Sequence, residues 1–140
     1  MRIALPLLAL AFTGACEASG NEQEVGWHYR SPSNAHLSRM DYVFSDQNTR
    51  LVGRCDGGPT LYLMGGEYPE RADRFTLTVD EKVWQLPITY HAHGRFLAID
   101  DPGIEAAIIG AKGLITFRVG EWERKLLPSP LLQRYANDCS

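Results

Sequence analysis

The chain lacks the sequence motifs around which most active sites are built. Among its 140 residues are three cysteines and four histidines. No Cys-x-x-Cys, no Glu-x-x-His and no second histidine pair occurs, which removes the common zinc frameworks. No G-x-S-x-G occurs either, so the strained turn that presents a serine nucleophile is missing. Ser45, Ser129 and Ser140 have turn, cap and tail roles instead. Gly57-Gly58 reads as a turn between antiparallel strands, without the following helix and lysine of a phosphate loop. There is no internal repeat, no low-complexity block and no basic run. With a net charge of -3 and no basic face expected, nucleic acid and anionic lipid are disfavoured as main partners.

What is present begins at the N-terminus. Met1 to Cys16 reads MRIALPLLALAFTGAC: one basic residue, an apolar core from Ile3 to Phe12, then small residues directly before a cysteine. This is the layout of a bacterial lipoprotein signal over residues 1–15, with Cys16 as the lipid-bearing thiol. The apolar run is too short to stay in a bilayer as a helix. Glu17 to Gly26, polar and acidic, is expected to be a tether. With glutamate directly after Cys16, sorting favours the outer membrane, with the domain facing the periplasm. Loss of Arg2 takes the net charge from -3 to -4.

Cysteine arithmetic agrees with export. Setting Cys16 aside leaves Cys55 and Cys139, an even number, which an oxidising compartment favours as a disulfide. Such a bond closes a loop of about 85 residues and contributes on the order of 4 kcal/mol in the chain-entropy model. Residues 27–140 are then expected to form a single β-rich domain with a genuine core.

The strands follow from period-two alternation and turn residues. Trp27 to Arg30 and Asp41 to Phe44 are short candidates, the latter followed by a turn over Ser45 to Asn48. In Thr49 to Cys55, Leu51, Gly53 and Cys55 share one face, and Val52 and Arg54 the other. Thr60 to Met64 is apolar on both faces and so central in its sheet. Gly65 to Asp73 is a loop. Arg74 to Leu86 is a hairpin turning at Asp80-Glu81, which sets Leu77 opposite Trp84 and Phe75 opposite Leu86. Ile88 to Ala92 and Arg95 to Ile99 follow as strands. Leu114 to Leu126 is a second hairpin turning at Gly120-Glu121, pairing Val119 with Trp122 and Arg118 with Glu123.

Two helices complete the reading. Asp101 caps the first, with Pro102 at its first position, a stripe of Ile104, Ala107, Ile108 and Ala111, and an end at Lys112-Gly113. Ser129-Pro130 opens the last, in which Leu131, Tyr135 and Cys139 recur every four residues and Cys139 faces the core. Short strands and two helices together make an α+β fold, mainly antiparallel β and sandwich-like, with one mid-chain and one C-terminal helix.

Trp27, Arg54-Cys55 before Gly57, Thr60 and Tyr62, the apolar helix Ile104 to Ile109 entering Leu114 to Val119, and the closing helix Pro130 to Cys139 together give a layout that resembles a family of bacterial exported proteins associated with type VI secretion. The resemblance covers most of the chain after the signal. It implies the Cys55 to Cys139 pairing and a non-enzymatic role in the envelope.

His91 and His93 lie on one strand face at a spacing that binds zinc or copper if Asp100 or Asp101 supplies a third ligand; exposed strand-end histidines are the expectation. Asp100 and Asp101, being adjacent, point to opposite faces, and capping accounts for Asp101. Trp27, Tyr29, Tyr62, Trp84 and Trp122 read as core, while Tyr68 and Tyr90, in or beside loops, are placed to meet a protein or glycan. The reading is a membrane-anchored periplasmic lipoprotein that binds another envelope protein, with no catalytic, cofactor or metal residues. An immunity or inhibitor protein, a metal- or small-ligand-binding protein and a hydrolase are its rivals.

Overall fold

The computed structural model describes residues 24–30, 38–55, 59–91 and 94–139. The expected signal, Cys16 and most of the tether lie outside these residues. In chain order the elements are β1 (Gly26–Arg30), β2 (Arg39–Val43), β3 (Arg50–Cys55), β4 (Pro59–Met64), β5 (Arg74–Val79), β6 (Lys82–Pro87), β7 (Thr89–His91), β8 (Gly94–Ile99), α1 (Pro102–Ile109), β9 (Ile115–Val119), β10 (Trp122–Leu126) and α2 (Pro130–Cys139). They form a six-stranded sheet ordered β1-β2-β3-β4-β8-β7 and a four-stranded sheet ordered β10-β9-β5-β6. Every pairing is antiparallel. The fold is thus α+β and mostly antiparallel, with ten strands in two sheets and two helices.

Alternation decides what each sheet buries. On the inner face of the six-stranded sheet, the register lines up Tyr29, Met40, Gly53, Leu61 and Ile99 in one row and Trp27, Tyr42, Leu51, Leu63 and Leu97 in the next. The four-stranded sheet contributes Phe75, Leu77, Val79, Ile115, Phe117 and Val119 to the same core. Phe75 and Phe117 stack at 6.2 Å between centroids.

Both hairpins have the registers read from sequence: Leu77 with Trp84, Phe75 with Leu86, Val119 with Trp122 and Arg118 with Glu123. The first turn lacks glycine, and Asp80 takes φ 55° in its place. Its carboxylate accepts from the backbone N–H of Lys112 and Gly113, which offsets the cost of that conformation. The same contact ends α1 early. The helix stops at Ile109 and is capped by Gly110, because the amides at 112 and 113 are already bonded across to Asp80. At its start, Asp101 accepts from Gly103 and Ile104 as expected.

In α2 the fully buried stripe is Leu132, Tyr135 and Cys139, with Leu131 only half buried. The inward face is therefore rotated from the every-fourth-residue stripe, since a helix of 3.6 residues per turn meets its neighbour at three- and four-residue steps. Ser129 caps it through its hydroxyl, which accepts from the Leu131 N–H at 3.1 Å. Cys139 is joined to Cys55, with 5.1 Å between Cα atoms. Among the described residues no helix is long and apolar enough to cross a membrane.

Candidate functional site

The outer face of the six-stranded sheet gathers charge that the sequence scatters. Directly opposed residues in antiparallel strands share a face. The register therefore sets Arg30 against Arg39, Arg39 against Arg54, and Arg54 against Thr60. The next row along is His28, Asp41, Val52, Tyr62 and Ala98, and the one after it runs through Val43, Arg50, Met64 and Phe96. Four arginines thus surround a floor on which Val52 is only 5% exposed. Arg30, Arg39 and Arg54 are exposed, and Tyr62, Met64 and Phe96 are half buried. A depression of about 430 Å³ opens among His28, Arg30, Arg39, Asp41, Val52 and Arg54.

The three ion pairs of the described residues, Arg118 with Glu123, Arg124 with Asp46 and Lys125 with Glu123, use none of these arginines. Arg54 lies instead over the Tyr62 ring, 5.9 Å from its centroid, and Tyr62 meets Phe96 edge-on at 5.7 Å.

The helix α2 holds this face from behind. The Tyr135 hydroxyl accepts from the Thr60 N–H at 2.6 Å and reaches the Arg54 carbonyl at 2.7 Å. Its ring lies against Gly53, where an added Cβ would come within 2.9 Å of Cζ. Only glycine lets the helix approach so closely. Tyr29 on β1 donates to Asp138, and the disulfide fixes the end of β3. Three of the strands that carry the outer face are therefore tied to one helix on their inner side.

A second bay, about 910 Å³, lies between the β5–β6 turn and the end of α1. It is wide open, and its most prominent carboxylate, that of Asp80, is already occupied by backbone amides. Two other carboxyls depart from their ordinary ranges. Burial pushes Asp46 up, but bonds from the Thr49 N–H, the Arg124 guanidinium, the Thr49 hydroxyl and the Asn48 N–H outweigh it and bring the group down to about 2. Asp46 thereby ties the β2–β3 turn to β10 through Arg124. Glu105 on α1 is pushed up to about 7 by burial, with repulsion from Asp100 adding to it.

Glu105 gives the fold a pH dependence. Its carboxyl ionises near 4.5 when unfolded and near 7 when folded. Between these values the native state holds the extra proton, so the stability that depends on Glu105 is greatest below about 4.5, falls as pH rises from there through 7, and is level above that. Glu105→Gln is expected to remove that slope and to raise the melting temperature at pH 8 by a few degrees. Thermal melts of both chains at pH 4.5 and pH 8 decide it; parallel curves would refute this assignment.

Cys55 and Cys139 are brought together. Asp101 is a helix cap, so it is not free to join Asp100 as a carboxylate pair. His93, and the side chain of His91, lie outside the described residues, as do Cys16, Gly57, Gly58 and Ser140; no cluster able to hold a metal occurs among the described residues. Tyr90 is exposed, with its hydroxyl donating to the Ala72 carbonyl. Tyr68 is not available to a partner. It is 5% exposed, packed against Trp122 and covered by the Arg95 guanidinium at 4.2 Å. Tyr62 belongs to the outer face rather than to the core that periodicity predicts. The expectation of no basic face also fails, because no two of its four arginines are adjacent in sequence. The signal that marks them is Arg50, Val52 and Arg54 at period two. Comparison with models of known families, with curated proteins and with solved structures finds no match.

Proposed function

We propose that the protein is an exported, lipid-anchored binding module of the bacterial envelope, tethered through Cys16, performing no chemistry and docking an acidic protein partner on the outer face of its six-stranded sheet. The observation that carries this is the combination on that face: four arginines without a described ion pair, around half-buried Tyr62, Met64 and Phe96. Arginine, tyrosine, methionine and phenylalanine are the residues enriched in protein interfaces. Nucleic acid is a poorer match. Its affinity comes from many phosphate contacts on a strongly basic domain, whereas this chain has a pI near 5.8. The lipoprotein layout of the N-terminus and the Cys55–Cys139 bond support the envelope location. A place beside type VI secretion belongs to the same proposal, on the strength of the resemblance alone.

A photo-crosslinking residue placed at Tyr62 in the native bacterium is expected to capture an envelope protein, and one placed at Thr76 on the other sheet is not. Adding Arg39→Glu should abolish the adduct. Absence of any adduct at 62, or equal capture from 76, overturns the module reading. Intact-mass analysis tests export separately: an acylated Cys16 is expected, and a retained Met1 rules it out.

A further inference from the structure

Like charges directly across a strand pair destabilise a sheet. Here they occur twice in succession, Arg30 against Arg39 and Arg39 against Arg54. Adjacent strands lie about 4.8 Å apart, so three guanidinium groups rise from a span of roughly 10 Å. Among the described residues, Asp41 is the one carboxylate in the facing rows on β1 to β3, and no ion pair joins it to any of the three. Such a row costs the fold stability rather than supplying it. Arginine is the side chain best suited to a carboxylate, since its planar fork makes two parallel charge-assisted bonds.

Resting on the docking face proposed above, we infer that Arg30, Arg39 and Arg54 form a carboxylate-reading row that takes an Asp/Glu-rich segment of the partner protein. The segment's acidic side chains pair with the three guanidiniums, and its remaining atoms cover the half-buried Tyr62, Met64 and Phe96. That apolar floor favours a polypeptide over a headgroup or a free oxyanion, neither of which would cover it. The row is also held in place before binding. The Tyr135 hydroxyl fixes the Arg54 carbonyl, Asp138 fixes Tyr29 beside Arg30, and the disulfide fixes Cys55 beside Arg54. Less ordering is then needed when the partner arrives.

The probe is a fluorescently labelled hexaglutamate peptide, followed by anisotropy against the intact chain at low salt. Saturable binding is expected, weakening as salt is added. Arg39→Gln should weaken it roughly tenfold, while Arg74→Ala, the same charge change on the other sheet, should leave it unchanged. A second readout separates a binding arginine from a structural one. Because Arg39→Gln relieves both like-charge pairs, its melting temperature should rise while binding falls.

Lack of saturable binding, equal loss in Arg74→Ala, or a melting temperature that drops with Arg39→Gln overturns the inference. So does displacement of the peptide by equimolar inorganic phosphate, or tighter binding to phosphatidylglycerol vesicles, since either would identify a different anion. If the peptide fails while crosslinking at Tyr62 persists, the carboxylate row falls and the docking face stands. If crosslinking fails, the docking face itself falls.

Discussion

Tyr135→Ala is expected to cost about 3–5 kcal/mol of folding free energy, the range for deleting a large buried aromatic side chain. The side chain is fully buried and among the largest that are, and its ring fills the space left above Gly53. Since a small domain holds only about 5–15 kcal/mol in all, this variant should lose a large share of its stability. Tyr135→Phe isolates the hydroxyl. It keeps the ring but leaves the Thr60 N–H and the Arg54 carbonyl without their bond, at a cost of about 1–3 kcal/mol. Urea denaturation reads both. A phenylalanine variant as stable as the parent would show the hydroxyl to be dispensable, and an alanine variant within about 1 kcal/mol of the parent would show that the cavity collapses.

Replacing Cys55 and Cys139 together by alanine should lower stability by about 4 kcal/mol, because the bond closes a loop across a sequence separation of 84 and so restricts the unfolded chain. The double replacement avoids leaving a lone thiol. The dependence on urea should also steepen, since an unfolded chain without the crosslink exposes more surface. An unchanged midpoint would mean that the folded state gains nothing from the link. The losses from the tyrosine and cysteine changes should not add, because both loosen the same helix from β3.

Much of the architecture was legible because it is local. The hairpins around Asp80 and Gly120 follow from turn position and alternation, and strand β3 declares its two faces through Leu51, Gly53 and Cys55 against Val52 and Arg54. The arginine row was not legible for a definite reason. Asp41 looks like the start of β2, but pairing begins at Arg39, and only that register brings 30, 39 and 54 into line. Tyr68 sits in a loop by sequence, yet Arg95 from β8 and Trp122 from β10 close over it, contacts between elements that no window of sequence contains. Glu105 is the opposite case: a charged residue in the first turn of α1 suits the helix dipole, and its burial is set by what packs there. Helix α1 ends early for the same kind of reason, since a carboxylate 32 residues upstream takes the amide at 112.

The order in which the chain visits its two layers has a kinetic consequence. After β1 to β4 it leaves for β5 and β6, returns for β7 and β8, and leaves again for β9 and β10. Leu61 must wait for Ile99, and Thr76 for Arg118, before the central ladders can close. Each layer closes across a stretch of chain that belongs to the other, so the transition state must enclose long loops before it is rewarded with contacts. Such a chain should fold slowly, with β4 and β9 gaining amide-exchange protection together rather than layer by layer.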